Sequence, residues 1–324
     1  MIYVMLKKGT NMKIRILLIF MVLFLASNLP ADESEQIVKL KTKTGTLEGS
    51  LLVPAEKVNI PVALIIAGSG PTDRDGNNPM MQNNSLKMLA SGLLKNGIAS
   101  LRYDKRAIGK SREAGLKESD LRFETYIEDA EEWIDFLKKD KRFSKIIVIG
   151  HSEGSLIGMI ASQKKNVDSF ISIAGIGQSA DKILKKQLKA QPPMVLKIAT
   201  PIIDKLVKGE TVKDVNPMLY SLFRPSVQPY MISWFKYDPQ KEIGKLKKPI
   251  LIIQGTTDIQ VTKKDADQLA KGNKKAKKII IKGMNHILKE ADLDRAKNIQ
   301  TYNLPELPLK PELITSILKF INDK

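Results

Sequence analysis

Apolar residues fall along this chain in two alternating patterns. One is the short β-branched run buried on both faces of a sheet, and the other is a longer stretch with apolar residues three and four apart. The first pattern predicts an antiparallel hairpin of strands at 36–43 and 46–54 around Gly45. It then predicts strands at 60–67, 98–103, 146–149, 167–174, 249–254 and 277–282. The second predicts helices at 85–95, 123–138, 264–271 and 311–322, and one after Gly154 carrying Leu156, Ile157, Met159, Ile160 and Ala161. Strands that alternate with helices in this way argue for a mostly parallel central sheet with helices on both faces.

The alternation stops over 178–240. Apolar residues there keep helical spacing (Ile183, Leu184, Leu188; Ile202, Ile203, Leu206), and prolines interrupt at Pro192, Pro193, Pro201, Pro217 and Pro225. This reads as a helical lid or cap inserted into a core formed by 32–177 and 241–324. Residues 1–31 read as a signal peptide with Met12 as the true start: Lys13 and Arg15, an apolar run from Ile16, then small or turn residues up to Ala31. The run is shorter than the roughly 20 residues that span a bilayer, so cleavage and export, to the periplasm or beyond, are expected. An uncleaved N-terminal membrane anchor is the alternative.

Composition narrows the function classes. The 324 residues are 43% hydrophobic, enough for one large α/β domain with an insertion. The net charge of +18 invites a nucleic-acid reading. The lysines, however, are spread over surface-like segments such as Lys138–Lys139, Lys185–Lys186 and Lys274–Lys275, with no aromatic-interleaved basic motif. Solvated basic faces explain the charge, no nucleic-acid partner is expected, and a weak contact with anionic membrane or cell-wall polymer is compatible with it. Cysteine is absent, which excludes disulfides, cysteine nucleophiles and thiolate metal sites, and two histidines argue against a multi-histidine metal centre.

The chemistry centres on Gly150-His151-Ser152-Glu153-Gly154, between a β-branched strand and a helix. A G-x-S-x-G turn in that setting holds its serine in a strained conformation at the carboxyl edge of a sheet. A serine hydroxyl needs a base, and only His151 and His286 are available. The side chain of His151 should diverge from its neighbour Ser152, which leaves His286, just past the last strand. Asp258, just past the strand at 249–254, is the carboxylate expected to orient that base. The backbone N–H of Glu153 and that of Ser69 (or Gly70) are the expected oxyanion donors. Among the apolar residues of the insertion, Met231, Trp234 and Phe235 are expected to line an acyl pocket or, alternatively, to form the insertion's own core.

Together, Gly68-Ser69-Gly70-Pro71, Asp73-Arg74-Asp75-Gly76-Asn77, Arg102-Tyr103-Asp104-Lys105-Arg106, the elbow and Asn285-His286 resemble the bacterial α/β-hydrolase serine esterases. These are grouped with dienelactone-hydrolase-like and serine-aminopeptidase-like proteins. The resemblance runs from about Thr42 to Ile321, and Ala107 stands where similar sequences often have glycine. It implies an α/β-hydrolase fold and carboxylesterase activity on short acyl esters, with Ser152, Asp258 and His286 as the triad; the position of the insertion extends the expected range to medium chains, and the triad chemistry requires no metal or organic cofactor. An aminopeptidase, amidase or thioesterase would use the same triad. A catalytically silent binding protein on the same fold is the reading from another class.

Overall fold

A computed structural model describes residues 35–55, 58–115 and 117–323. The signal-like segment lies outside the described residues.

Eight strands form one sheet: β1 (Glu35–Thr42), β2 (Gly45–Leu52), β3 (Ile60–Ile66), β4 (Ala99–Tyr103), β5 (Phe143–His151), β6 (Ser169–Ile173), β7 (Ile250–Gly255) and β8 (Lys277–Ile281). Their spatial order is β1-β2-β4-β3-β5-β6-β7-β8. The β1–β2 hairpin adds to β4 in antiparallel fashion, and every remaining pair is parallel. Such a sheet needs helical cover on both faces.

Residue alternation along the strands divides the core in two. Ala63 and Ile65 of β3, Ile147 and Ile149 of β5, and Ile171 and Ile173 of β6 face α1 (Ser85–Leu94) and the last helix, Pro311–Asn322. Val62 and Leu64 of β3 and Val148 of β5 face the opposite way. They pack against α2 (Phe123–Lys138), whose 16 residues match the periodic stretch read from sequence, and α3 (Glu153–Lys164). Phe170 of β6 also packs in that layer, against α3.

Between β6 and β7 come α4 (Ala180–Leu188), α5 (Pro193–Val207), α6 (Tyr220–Phe223), α7 (Gln228–Phe235) and α8 (Pro239–Gly244). Their apolar residues gather into a separate cluster that includes Ile203, Leu206, Phe223, Met231 and Phe235. The α7 helix docks on α2. Trp234 stacks on Phe123 with ring centroids 5.9 Å apart, and the Phe123 N–H donates to Ser233 Oγ at 2.7 Å. After β7 follow α9 (Lys263–Gly272), capped by reciprocal bonds between Thr262 and Asp265, then β8, α10 (Arg295–Gln300) and α11 (Pro311–Asn322). No helix among the described residues is long and apolar enough to cross a membrane.

Candidate active site

β5 runs directly into α3, and the one residue between them is Ser152. Its backbone sits at φ 54°, ψ −119°, a region that a side-chain-bearing residue occupies only when its surroundings impose it. The surroundings are close-packed backbone. A Cβ on Gly150 would lie 2.3 Å from the carbonyl oxygen of Gly154, and one on Gly154 would lie 2.3 Å from that of Ile66. The elbow therefore requires glycine at both positions. The Ser152 N–H is anchored on the Ile173 carbonyl of the neighbouring strand at 3.0 Å. Ser152 itself is half-buried and lines a cavity of about 100 Å³.

His286 lines the same cavity from the loop after β8. Its Nδ1 lies 2.8 Å from Oδ2 of Asp258, from the loop after β7. That carboxylate accepts three further bonds, from the N–H groups of Gln260 and Val261 and from Gln254 Nε2. Burial opposes its ionisation, but the His286 ring and these backbone donors outweigh burial and hold the carboxyl below its ordinary value. An ionised Asp258 places the proton of His286 on Nδ1 and leaves Nε2 free to accept one. The Asp258 and His286 loops are fastened together. Thr257 N–H donates to the Met284 carbonyl at 3.2 Å, and Asn298 Nδ2 donates to the Thr257 carbonyl at 2.8 Å.

His151 sits beside the base, with ring centroids 4.8 Å apart. Its Nε2–H donates to the His286 carbonyl at 2.8 Å. Burial first, and His286 second, push its imidazole down to about 3, so it is a neutral donor that fixes the His286 backbone. Glu153 opens α3, and Ser69 lines the same cavity as Ser152. The expected donor-bearing residues thus flank Ser152. Asp73, Arg74 and Asp75 turn away from the cavity: Asp73 accepts the N–H groups of Asp75 and Asn77, Arg74 pairs with Asp104 and Glu48, and Asp75 pairs with Arg102.

The three insertion residues expected at the acyl pocket are placed elsewhere. Met231 and Phe235 are buried in the insertion's own apolar cluster, and Trp234 lies against Phe123; none lines the Ser152 cavity. Their apolar surface is spent on holding α7 to α2 and to its neighbouring helices. The cavity wall is instead mostly polar, with Thr72, Asn78, Asn83, Gln260 and Tyr302 beside Met81 and Ile287. Gln260 Nε2 donates to the Tyr302 hydroxyl at 3.2 Å. Tyr302 and Asn298 escape a pattern-based reading, because 283–303 carries no strand or helix periodicity. Among the described residues no cluster of three or more His, Asp or Glu is arranged to hold a metal ion.

Comparison with known proteins agrees with this fold. The profile of the serine aminopeptidase S33 family matches residues 82–239. Esterase EstD of Thermotoga maritima is 28% identical over 250 residues, which are 75% of this chain and 58% of that protein. The chain therefore spans less than two thirds of that relative's length. Est1E from Butyrivibrio proteoclasticus, solved with ferulic acid bound, superposes with a TM-score of 0.59 at 19% identity, covering 88% of this chain and 99% of that one. An α/β hydrolase of a Penicillium species, GrgF, superposes with a TM-score of 0.59 at 18% identity, covering 90% and 98%. At such identities the structural likeness is one of fold.

Proposed function

We propose that the chain, which has the α/β-hydrolase fold and is similar to an esterase, cleaves carboxylic esters through Ser152, His286 and Asp258. One observation carries this reading. A serine in strained backbone faces a cavity shared with a histidine whose other ring nitrogen is held by a buried carboxylate at 2.8 Å.

The steps are those of acyl transfer to a serine. His286 Nε2 takes the Ser152 Oγ proton as that oxygen attacks the ester carbonyl carbon, and Asp258 stabilises the resulting imidazolium. The oxyanion of the tetrahedral intermediate is met by the N–H groups of Glu153 and Ser69. The intermediate collapses to an acyl-enzyme, and the alcohol leaves with the proton from His286. Water then enters by the same sequence in reverse and frees the acid.

The cavity of about 100 Å³ is well below the roughly 300 Å³ at which drug-sized ligand pockets begin, and its polar wall gives a long alkyl chain little to pack on. The substrate therefore belongs at the short end of the acyl series. The family profile raises the aminopeptidase alternative. A free α-amino group calls for an anionic partner, and among the described residues no Asp or Glu lines the cavity, which favours esters. The pattern at 12–31 supports action outside the cytoplasm.

Release of p-nitrophenol from acetate, butyrate and octanoate esters, measured beside Ser152→Ala, tests the proposal. Expected are falling kcat/KM from acetate to octanoate and a loss on the order of 10⁴-fold or more in the variant. Equal rates in both proteins, or a preference for aminoacyl amides, would overturn it.

A further inference from the structure

β4 delivers Lys105 into the interior beside the elbow, where 1% of its surface is exposed. A buried ammonium is costly unless its protons are taken up. Lys105 Nζ donates to the carbonyl of Gly68 and lies 3.3 Å from Oε2 of Glu153. It also sits 5.2 Å from the centroid of the Tyr126 ring. The other carboxylate oxygen of Glu153 accepts from the Tyr230 hydroxyl of α7 at 2.6 Å. The ammonium–carboxylate pair is thus closed off from water, and nothing in the mechanism above uses it.

Its two partners have a property in common. Glu153 carries one of the N–H groups that meet the oxyanion. The Gly68 carbonyl belongs to the same peptide unit as the other, the N–H of Ser69. In a trans peptide the C=O and N–H point in opposite directions. An ammonium gripping the carbonyl from the interior therefore turns the N–H outward. The nucleophile lies close to this peptide: a Cβ on Gly68 would lie 3.2 Å from the Ser152 Cβ, and Ser69 lines the cavity.

We infer that Lys105 is a positioning residue for the oxyanion hole, an inference that rests on Ser152 being the nucleophile. Its bond to Gly68 sets the plane of the 68–69 peptide, and its pairing with Glu153 ties that peptide to the start of α3. The same bond polarises the peptide and strengthens its N–H as a donor. Through Tyr230, the insertion shares in holding this arrangement.

The competing role, plain neutralisation of a buried Glu153, is separated by two variants. Lys105→Met removes the grip and leaves a carboxylate unpaired. Lys105→Met with Glu153→Gln removes the grip and the orphaned charge together. Acylation and deacylation both pass through an oxyanion, so loss of aim lowers both rates and leaves KM in place. With p-nitrophenyl acetate, both variants are expected to show kcat roughly tenfold to a hundredfold lower with KM within about twofold, the double variant melting near the parent. Parental kcat in the double variant, or a rise in KM at unchanged kcat, would overturn the inference. Ser152→Ala in the same series keeps the readings apart: a variant as active as the parent would remove the nucleophile assignment, and this inference with it.

Discussion

Ala107 has φ 68°, left-handed backbone that an L side chain occupies at a cost of about 1–2 kcal/mol. Its N–H is held on the Ser111 carbonyl at 3.1 Å, so the loop after β4 enforces the conformation. Glycine at this position removes the strain but adds about 0.4–1 kcal/mol of freedom to the unfolded chain. Ala107→Gly is therefore expected to stabilise the protein by about 0.5–1 kcal/mol, read as a higher urea midpoint at unchanged slope. The departure was visible in the sequence, but its conformational cost was not. Residue type explains what else was legible at this scale. With two histidines and no cysteine, the candidates for a base were few, and the structure brings His286 to Asp258 and to the Ser152 cavity. Lys105 and Tyr302 were opaque, because a buried lysine and a cavity tyrosine read as ordinary surface and core residues until their neighbours are known.

The strands and their covering helices were legible because burial on both faces leaves uninterrupted β-branched runs, and the observed ends differ by only a few residues, most at the start of β5. The polar stretch around α10 was not, since six residues cannot establish a helical period. The 68–84 loop shows what replaces periodicity there. Asn77 Oδ1 accepts the N–H groups of Asn83 and Asn84, and Arg74 joins this loop to β2 and to the end of β4 through Glu48 and Asp104. Asp104 is almost fully buried and keeps only the backbone donors of Arg74 and Lys110 if the guanidinium is removed. Arg74→Met is expected to cost about 3 kcal/mol in a denaturant titration, near the low end for breaking a buried ion pair. A cost below about 0.5 kcal/mol would show that the loop holds without it.

Stability of the whole molecule carries the signature of His151. Its folded-state value of about 3 lies below the ordinary 6.5, so between these values the unfolded chain binds a proton that the folded chain refuses. Stability is full above about 6.5 and falls as pH drops toward 3, by about 1.4 kcal/mol per pH unit at the steepest. Asp129 acts in the opposite sense. Burial, outweighing Arg106, raises its carboxyl from 3.8 to about 6, so its contribution declines as pH rises through that window. Comparing His151→Gln with the parent cancels Asp129: the variant should lose less stability between pH 6.5 and 3, and parallel curves would contradict this.

In the proposed mechanism Ser152 carries the acyl group between two steps of one reaction. This role is tested most directly by acid-quenching the enzyme during turnover of p-nitrophenyl acetate and locating acetyl by mass spectrometry of its peptides. Expected are one acetyl group on the peptide spanning Ser152 and none in the Ser152→Ala protein, together with loss of turnover. Acetyl on another residue, or undiminished turnover without Ser152, would contradict it.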